Sequence, residues 1–197
     1  MKTFTAILLA FTAASSFAQS KEAATTYKVD TEQSKVLWLA KKVTGQHNGS
    51  IKIKSGTLVT KGMDLVGGEI IIDMNSLDVL DITDAETKGK FMGHMKSGDF
   101  FETEKYPEAK LVIKSSKKVG KGVEVKGDLT MKGKTNSVTF LVIPKKVTDN
   151  SIGGTTTLAL DRTKWHLKYG SGKFFQGLGD KMIHDEFTLT IDVTAKK

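Results

Sequence analysis

The sequence predicts an all-β fold, an antiparallel up-and-down β-barrel of about eight strands with one short helix. Three observations predict it. Apolar and polar residues alternate with a period of two along most of the chain, as in strands with one buried face. Short links rich in Gly, Asn and Asp separate these runs and favour antiparallel neighbours. The period changes clearly only once, across residues 83–96, where apolar side chains fall at helical spacing. A sheet this large with one charged face tends to close, because closure removes its edges. A β-sandwich is the competing arrangement.

Taken in order, residues 19–26 are polar and read as a leader. Tyr27-Lys28-Val29-Asp30 begins an ordered strand, and residues 30–34 carry turn chemistry. Residues 35–43 set Val36, Trp38 and Ala40 on one face and Leu37 and Leu39 on the other. Gly45-Gln46-His47-Asn48-Gly49 reads as a loop or hairpin connection. Ile51 and Ile53 alternate with Lys52 and Lys54 in the next strand, and Lys61-Gly62-Met63-Asp64 is a turn. Ile70, Ile72 and Met74 then share a face opposite Glu69, Ile71, Asp73 and Asn75.

The helix follows. Thr83-Asp84-Ala85-Glu86 fits a capping box, a hydroxyl with Glu three residues on. Phe91 and Met95 are spaced i,i+4 and Met92 and Met95 i,i+3, so they share one side. Gly89 and Gly93 weaken this helix, which packing must therefore hold, and Gly98 is expected to end it. With Phe100 and Phe101, the stretch places a cluster of large apolar groups at the mouth of the barrel.

Alternation returns after Pro107. Ala109, Leu111 and Ile113 form one face, and Val123, Val125, Leu129 and Met131 another. Lys132-Gly133-Lys134 marks a turn before Val138, Phe140 and Val142. Thr156, Leu158 and Leu160 alternate next, residues 165–180 are irregular and Gly-rich, and Phe187, Leu189, Ile191 and Val193 close the pattern.

Composition narrows the function. The 197 residues contain no Cys, which excludes disulfides and thiolate metal sites and leaves stability to an apolar core. Net charge is +8, but of 30 basic residues only Arg162 is Arg. Nucleic-acid readers rely on Arg for bidentate contacts, so the Lys coat reads as a solvated surface and no nucleic-acid partner is expected. The start, Met1-Lys2-Thr3 and then an apolar run ending at Ser16-Phe17-Ala18, has the form of a secretory signal peptide. Residues 1–18 are expected to be cleaved and 19–197 to form one domain in the periplasm or outside the cell, with no Cys for lipid attachment. Histidines 47, 94, 166 and 184 form no H-x-H or H-E-x-x-H, and no G-x-S-x-G is present. No catalytic residue, metal or cofactor is expected, the alternative being a small enzyme that acts on an apolar substrate inside the barrel through His94 or Asp161.

Charged residues occupy the strand faces opposite the apolar ones, which argues against a transmembrane barrel and for a greasy interior. Such an interior is either filled by its own side chains or holds an apolar ligand, and Met residues suit a flexible chain. A polar group from Thr156, Asp161 or Arg162 is expected near one end.

Three stretches resemble the YceI-like, polyisoprenoid-binding family. They are Tyr27-Lys28-Val29-Asp30 with Ser34-Lys35-Val36; His94-Met95-Lys96-Ser97-Gly98-Asp99-Phe100-Phe101 with Glu104-Lys105-Tyr106-Pro107-Glu108-Ala109; and Gly127-Asp128-Leu129-Thr130-Met131-Lys132-Gly133 with Val138. The resemblance implies a lipocalin-like barrel, exported to the periplasm, that carries or stores polyisoprenoids, quinones or fatty-acid amides. Arg162-Thr163-Lys164-Trp165-His166 departs from the family's usual R-S-x-F-G. The expected partner is one isoprenoid or acyl-chain lipid lying among Trp38, Ile72, Met74, Met131, Phe140, Trp165 and Phe187, with Phe91, Met95, Phe100 and Phe101 at the entrance. Contact with a membrane surface is expected to be transient at most, and pairing of two barrels through loop 174–178 is left open.

Overall fold

The computed structural model describes residues 22–145, 148 and 150–197; the expected signal peptide lies outside the described residues. Nine strands follow in order: β1 (Ala24–Val29), β2 (Lys35–Lys42), β3 (Gly45–Lys61), β4 (Asp64–Val79), β5 (Glu108–Val119), β6 (Gly122–Met131), β7 (Lys134–Pro144), β8 (Ser151–Asp161) and β9 (Ile183–Lys196). A single α-helix among the described residues, α1 (Ala85–Lys96), links β4 to β5. Strands β2 to β9 each pair antiparallel with the next, and β9 pairs back onto β2. The ring is therefore an eight-stranded up-and-down barrel, and the sandwich alternative is excluded by its closure.

The extra strand shares a place in the wall with β2. β1 pairs with residues 57–61 of β3 and with Ala195 and Lys196 of β9, whereas β2 pairs with the opposite stretches of the same two strands. The turn between them is pinned to β9. Asp30 N–H donates to Thr194 O at 2.8 Å, Ser34 Oγ donates to Thr194 O and accepts from Thr194 N–H, and the Asp30 carboxylate pairs with Lys196 at 2.6 Å. This gives the Tyr27–Asp30 and Ser34–Val36 motif a physical role as the splice between two wall segments.

The interior follows the sequence periodicity. Val36 and Trp38 on β2, Ile70, Ile72 and Met74 on β4, Leu158 and Leu160 on β8 and Phe187, Leu189 and Ile191 on β9 all point inward. Leu37 points out, 45% exposed. Three boundaries differ from the sequence expectation. Residues 45–49 are strand rather than loop, because all five pair with β2 and extend the wall toward the mouth. The helix is capped by Asp84 rather than Thr83: its carboxylate accepts from Thr87 N–H at 2.8 Å. A carboxylate at the positive end of the helix dipole outcompetes a neutral hydroxyl. The helix stops at Lys96, with Ser97 rather than Gly98 as the closing residue.

Both long connections, residues 80–107 and 162–182, lie at one end of the barrel. At the other end the links within strand pairs are short, and Tyr27, Val29, Leu58, Ile113, Val125 and Ala195 are buried together. The barrel is thus plugged at one end and roofed at the other.

Candidate functional site: a hollow barrel with a roofed mouth

The barrel encloses a cavity of about 480 Å³. Apolar side chains from β2 to β9 form its walls, so the interior is hollow and not filled. None of the six buried residues at the plugged end lines it, so among the described residues it is a blind tube whose mouth faces α1 and residues 162–182.

Ten of the eleven side chains singled out from the sequence line this cavity: Trp38, Ile72, Met74, Phe91, Met95, Phe100, Phe101, Met131, Phe140 and Phe187. Trp165 does not. It is 1% exposed, stands outside the cavity, and its indole N–H donates to Leu129 O at 3.0 Å, pinning the turn after β8 onto β6. An aromatic residue in an irregular segment carries no periodicity to show its direction. Of the polar groups expected near one end, Arg162 lines the cavity, whereas Asp161 and Thr156 do not.

The wall near the mouth is built around Trp38. Its indole N–H donates to Asp78 O at 3.1 Å and its ring lies over Gly49 on β3. A Cβ at Gly49 would come within 1.9 Å of Asp78 O and 2.4 Å of the indole, so only glycine leaves room for this packing.

The roof has two halves. Helix α1 turns Phe91 and Met95 downward, while Met92 packs on the core without lining the cavity. Phe91 packs at a tilt against His47 of β3, with ring centroids 4.7 Å apart, and His47 Nδ1 lies 2.8 Å from Asp81. Burial pushes the Asp81 carboxyl up, but hydrogen bonds from Asn48 N–H and from His47 outweigh it and hold it below its ordinary value. The second half is the turn after β8, which brings Tyr169 against His94 at 4.6 Å and Phe100 at 5.4 Å. His94 and Phe100 meet edge to face at 5.0 Å, and His94 Nε2 is 3.1 Å from Asp99. Three rings from two connections thus close over the tube, in geometries aromatic pairs favour.

Arg162 fastens the second half. Its guanidinium donates to three main-chain carbonyls: Leu167 O at 2.5 Å, His184 O at 3.0 Å and Ile183 O at 3.1 Å. Asp185 lies 3.7 Å away. Burial lowers the Arg162 pKa, yet a guanidinium holds its proton far above neutrality. Beside it, burial pushes the Asp161 carboxyl up, but hydrogen bonds from Lys173 and Thr163 outweigh that and bring it down to about 2. The two motif stretches also meet here. Lys132 and Gly133, both at positive φ, form the tight turn between β6 and β7; Tyr106 packs on Gly133, and Lys132 Nζ donates to Gly98 O at 2.6 Å.

Several mouth residues carried no sequence signal of their own. Lys41, Lys42, Gln46, His47, Leu167, Tyr169, Lys181, Ile183 and His184 all line the cavity. Ile183 begins the alternating run of β9 and could have been reached by extending it; Tyr169 sits in an aperiodic segment. Among the described residues no group of three His, Asp or Glu is arranged to hold a metal ion.

A closed eight-stranded antiparallel barrel with a blind apolar tube defines a lipocalin-like container. A profile for the YceI-like domain matches residues 27–195, and the chain belongs to the YceI-like family. Protein YceI of Escherichia coli O17:K52:H18 is 33% identical over 92 residues, 47% of this chain and 46% of that protein. The chain spans under half the length of the curated relatives it matches. Two solved structures share the fold. BcnA of Burkholderia cenocepacia superposes with a TM-score of 0.69 at 22% identity, covering 85% of this chain and 99% of that one. A polyisoprenoid binding domain from Saccharophagus degradans, implicated in plant cell wall breakdown, gives 0.67 at 18% identity, covering 86% and 97%.

Proposed function

We propose that this is an exported protein that sequesters or carries one long apolar chain, a polyisoprenoid, an isoprenoid quinone or a fatty-acid amide, inside the barrel. The observation that carries the reading is the blind apolar tube of about 480 Å³. Ligand sites commonly measure roughly 300–1,000 Å³, and a wall of aliphatic and aromatic side chains favours a flexible hydrocarbon at about 25 cal/mol per Å² buried. The polyisoprenoid binding domain from Saccharophagus degradans, similar in fold, supports the same ligand class. Binding is the whole activity; no bond is made or broken. The pattern of residues 1–18 supports export. Exposed Val43, Leu80, Phe174 and Phe175 at the mouth end support brief contact with a membrane surface during loading.

The test is solvent extraction of the purified protein with mass spectrometry of the extract, followed by uptake of added lipid. Recovery or uptake of about one chain per protein is expected. Repeated recovery of none, with no uptake, removes the reading.

A further inference from the structure

The polar complement of the cavity is one-sided. Lys41, Lys42, Lys181, His184 and Arg162 line its mouth, and no Asp or Glu does among the described residues. A net positive surface does not by itself produce this, since elsewhere Lys and carboxylates are interleaved in ion pairs such as Lys54–Glu108, Lys110–Glu69 and Lys114–Asp128. Most acids near the mouth are already engaged, and Asp180 and Glu186, which have no ion-pair partner among the described residues, do not line the cavity. Asp81 holds His47, Asp99 holds His94, and Asp161 and Asp185 hold Lys173. Arg162 is spent on main-chain carbonyls. Lys41, Lys42 and Lys181 have no carboxylate within ion-pair distance among the described residues.

The backbone makes this grouping. Neighbouring residues of a strand normally point to opposite faces. Here the β2–β9 register breaks: Ala40 pairs with Phe187 but Lys42 pairs with Ile183, so β9 carries three residues opposite the single Lys41. Both Lys41 and Lys42 then reach the cavity, with Lys181 just before β9 beside them: Val43 N–H donates to Met182 O at 3.1 Å. An irregularity of this kind next to a binding site redirects side chains.

We infer that the apolar chain held in the tube ends in an anionic head group, a carboxylate or a phosphate, gathered at the mouth by Lys41, Lys42 and Lys181. This rests on the lipid-container reading and replaces its neutral amide and quinone heads with a charged one. A neutral amide, alcohol or quinone head would leave three ammonium groups around an uncharged end, whereas an anion gains charge-assisted hydrogen bonds there.

The experiment is competitive displacement by matched pairs of equal chain: hexadecanoic acid against hexadecanamide, and farnesyl phosphate against farnesol. Each is titrated into the full chain and into a Lys41→Gln, Lys42→Gln, Lys181→Gln variant, in low salt and in 1 M NaCl. All three lysines are exposed, so the variant is expected to fold, and its thermal unfolding confirms this. The anionic member is expected to bind about tenfold tighter in at least one pair, a preference that shrinks below about threefold in the variant and in high salt. The pair showing the larger preference tells carboxylate from phosphate. Equal binding within both pairs, or a preference that survives in the variant, overturns the head-group inference and leaves the container intact. Failure of all four compounds to bind overturns both.

Discussion

Arg162 is the residue on which the mouth depends most. Its three donors satisfy carbonyls on both sides of the turn leading into β9. Arg162→Lys keeps the charge but cannot span three acceptors, because an ammonium is a point donor and not a planar fork. The variant should lose about 2–4 kcal/mol in urea unfolding, given the usual worth of charge-assisted hydrogen bonds; a loss below about 0.5 kcal/mol contradicts the anchoring role. Neighbouring Asp161 adds a pH signature. Its carboxyl titrates at about 2 when folded and near 3.9 when unfolded, so it supports the fold above about pH 4. That support fades as pH falls toward 2. The stability gap between the wild type and Asp161→Asn should therefore be widest near neutrality and close on acidification, followed by thermal unfolding at several pH values. A gap independent of pH, or one that widens in acid, contradicts the assignment. Gly49→Ala belongs to the same scale. With a Cβ forced to 1.9 Å from Asp78 O, it should cost at least about 1–3 kcal/mol and disturb Trp38 fluorescence.

Among the elements, α1 is the one whose stability can be tuned without touching the barrel. Gly89 and Gly93 sit where an added Cβ meets nothing within 4 Å. Gly89→Ala and Gly93→Ala should therefore stabilise the helix by up to about 1 kcal/mol each. If α1 moves aside to load the tube, the double variant should also release bound chain more slowly in stopped-flow displacement, while unchanged release places the entrance elsewhere. The helix was legible in the sequence because Phe91 and Met95 are spaced to share a face, and both line the cavity. Its cap was misplaced by one residue, because Thr83 and Asp84 both carry capping groups and the capping-box spacing pointed to the hydroxyl, whereas the Asp84 carboxylate takes the Thr87 N–H. The strands were legible through their period of two, which is why the wall positions among the proposed contacts fall where expected. Trp165 and Tyr169 were not. Both lie in the turn after β8, whose path is set by Arg162 reaching Ile183 and His184 some twenty residues away. Spacing within the segment carries no trace of such an anchor.

The molecule as a whole is a tube plugged at one end by Tyr27, Val29, Leu58, Ile113, Val125 and Ala195 and roofed at the other by two connections that meet through His94, Phe100 and Tyr169. Its central property is the cavity inside the barrel. Native structures are ordinarily close-packed, and a cavity of about 480 Å³ forfeits side-chain contacts across the interior that a smaller barrel would make. That cost is understandable if a guest restores them. Filling the void from within should then stabilise the fold and abolish uptake together. Ala109, buried on β5 and lining the cavity, is the place to do it.

The most direct measurement is native mass spectrometry of the wild type and of Ala109→Trp combined with Leu129→Trp, each titrated with a long-chain lipid. A one-to-one complex is expected for the wild type and none for the folded double variant. A wild type that takes up no chain, or a filled barrel that binds as well as the hollow one, would contradict the lipid-container reading.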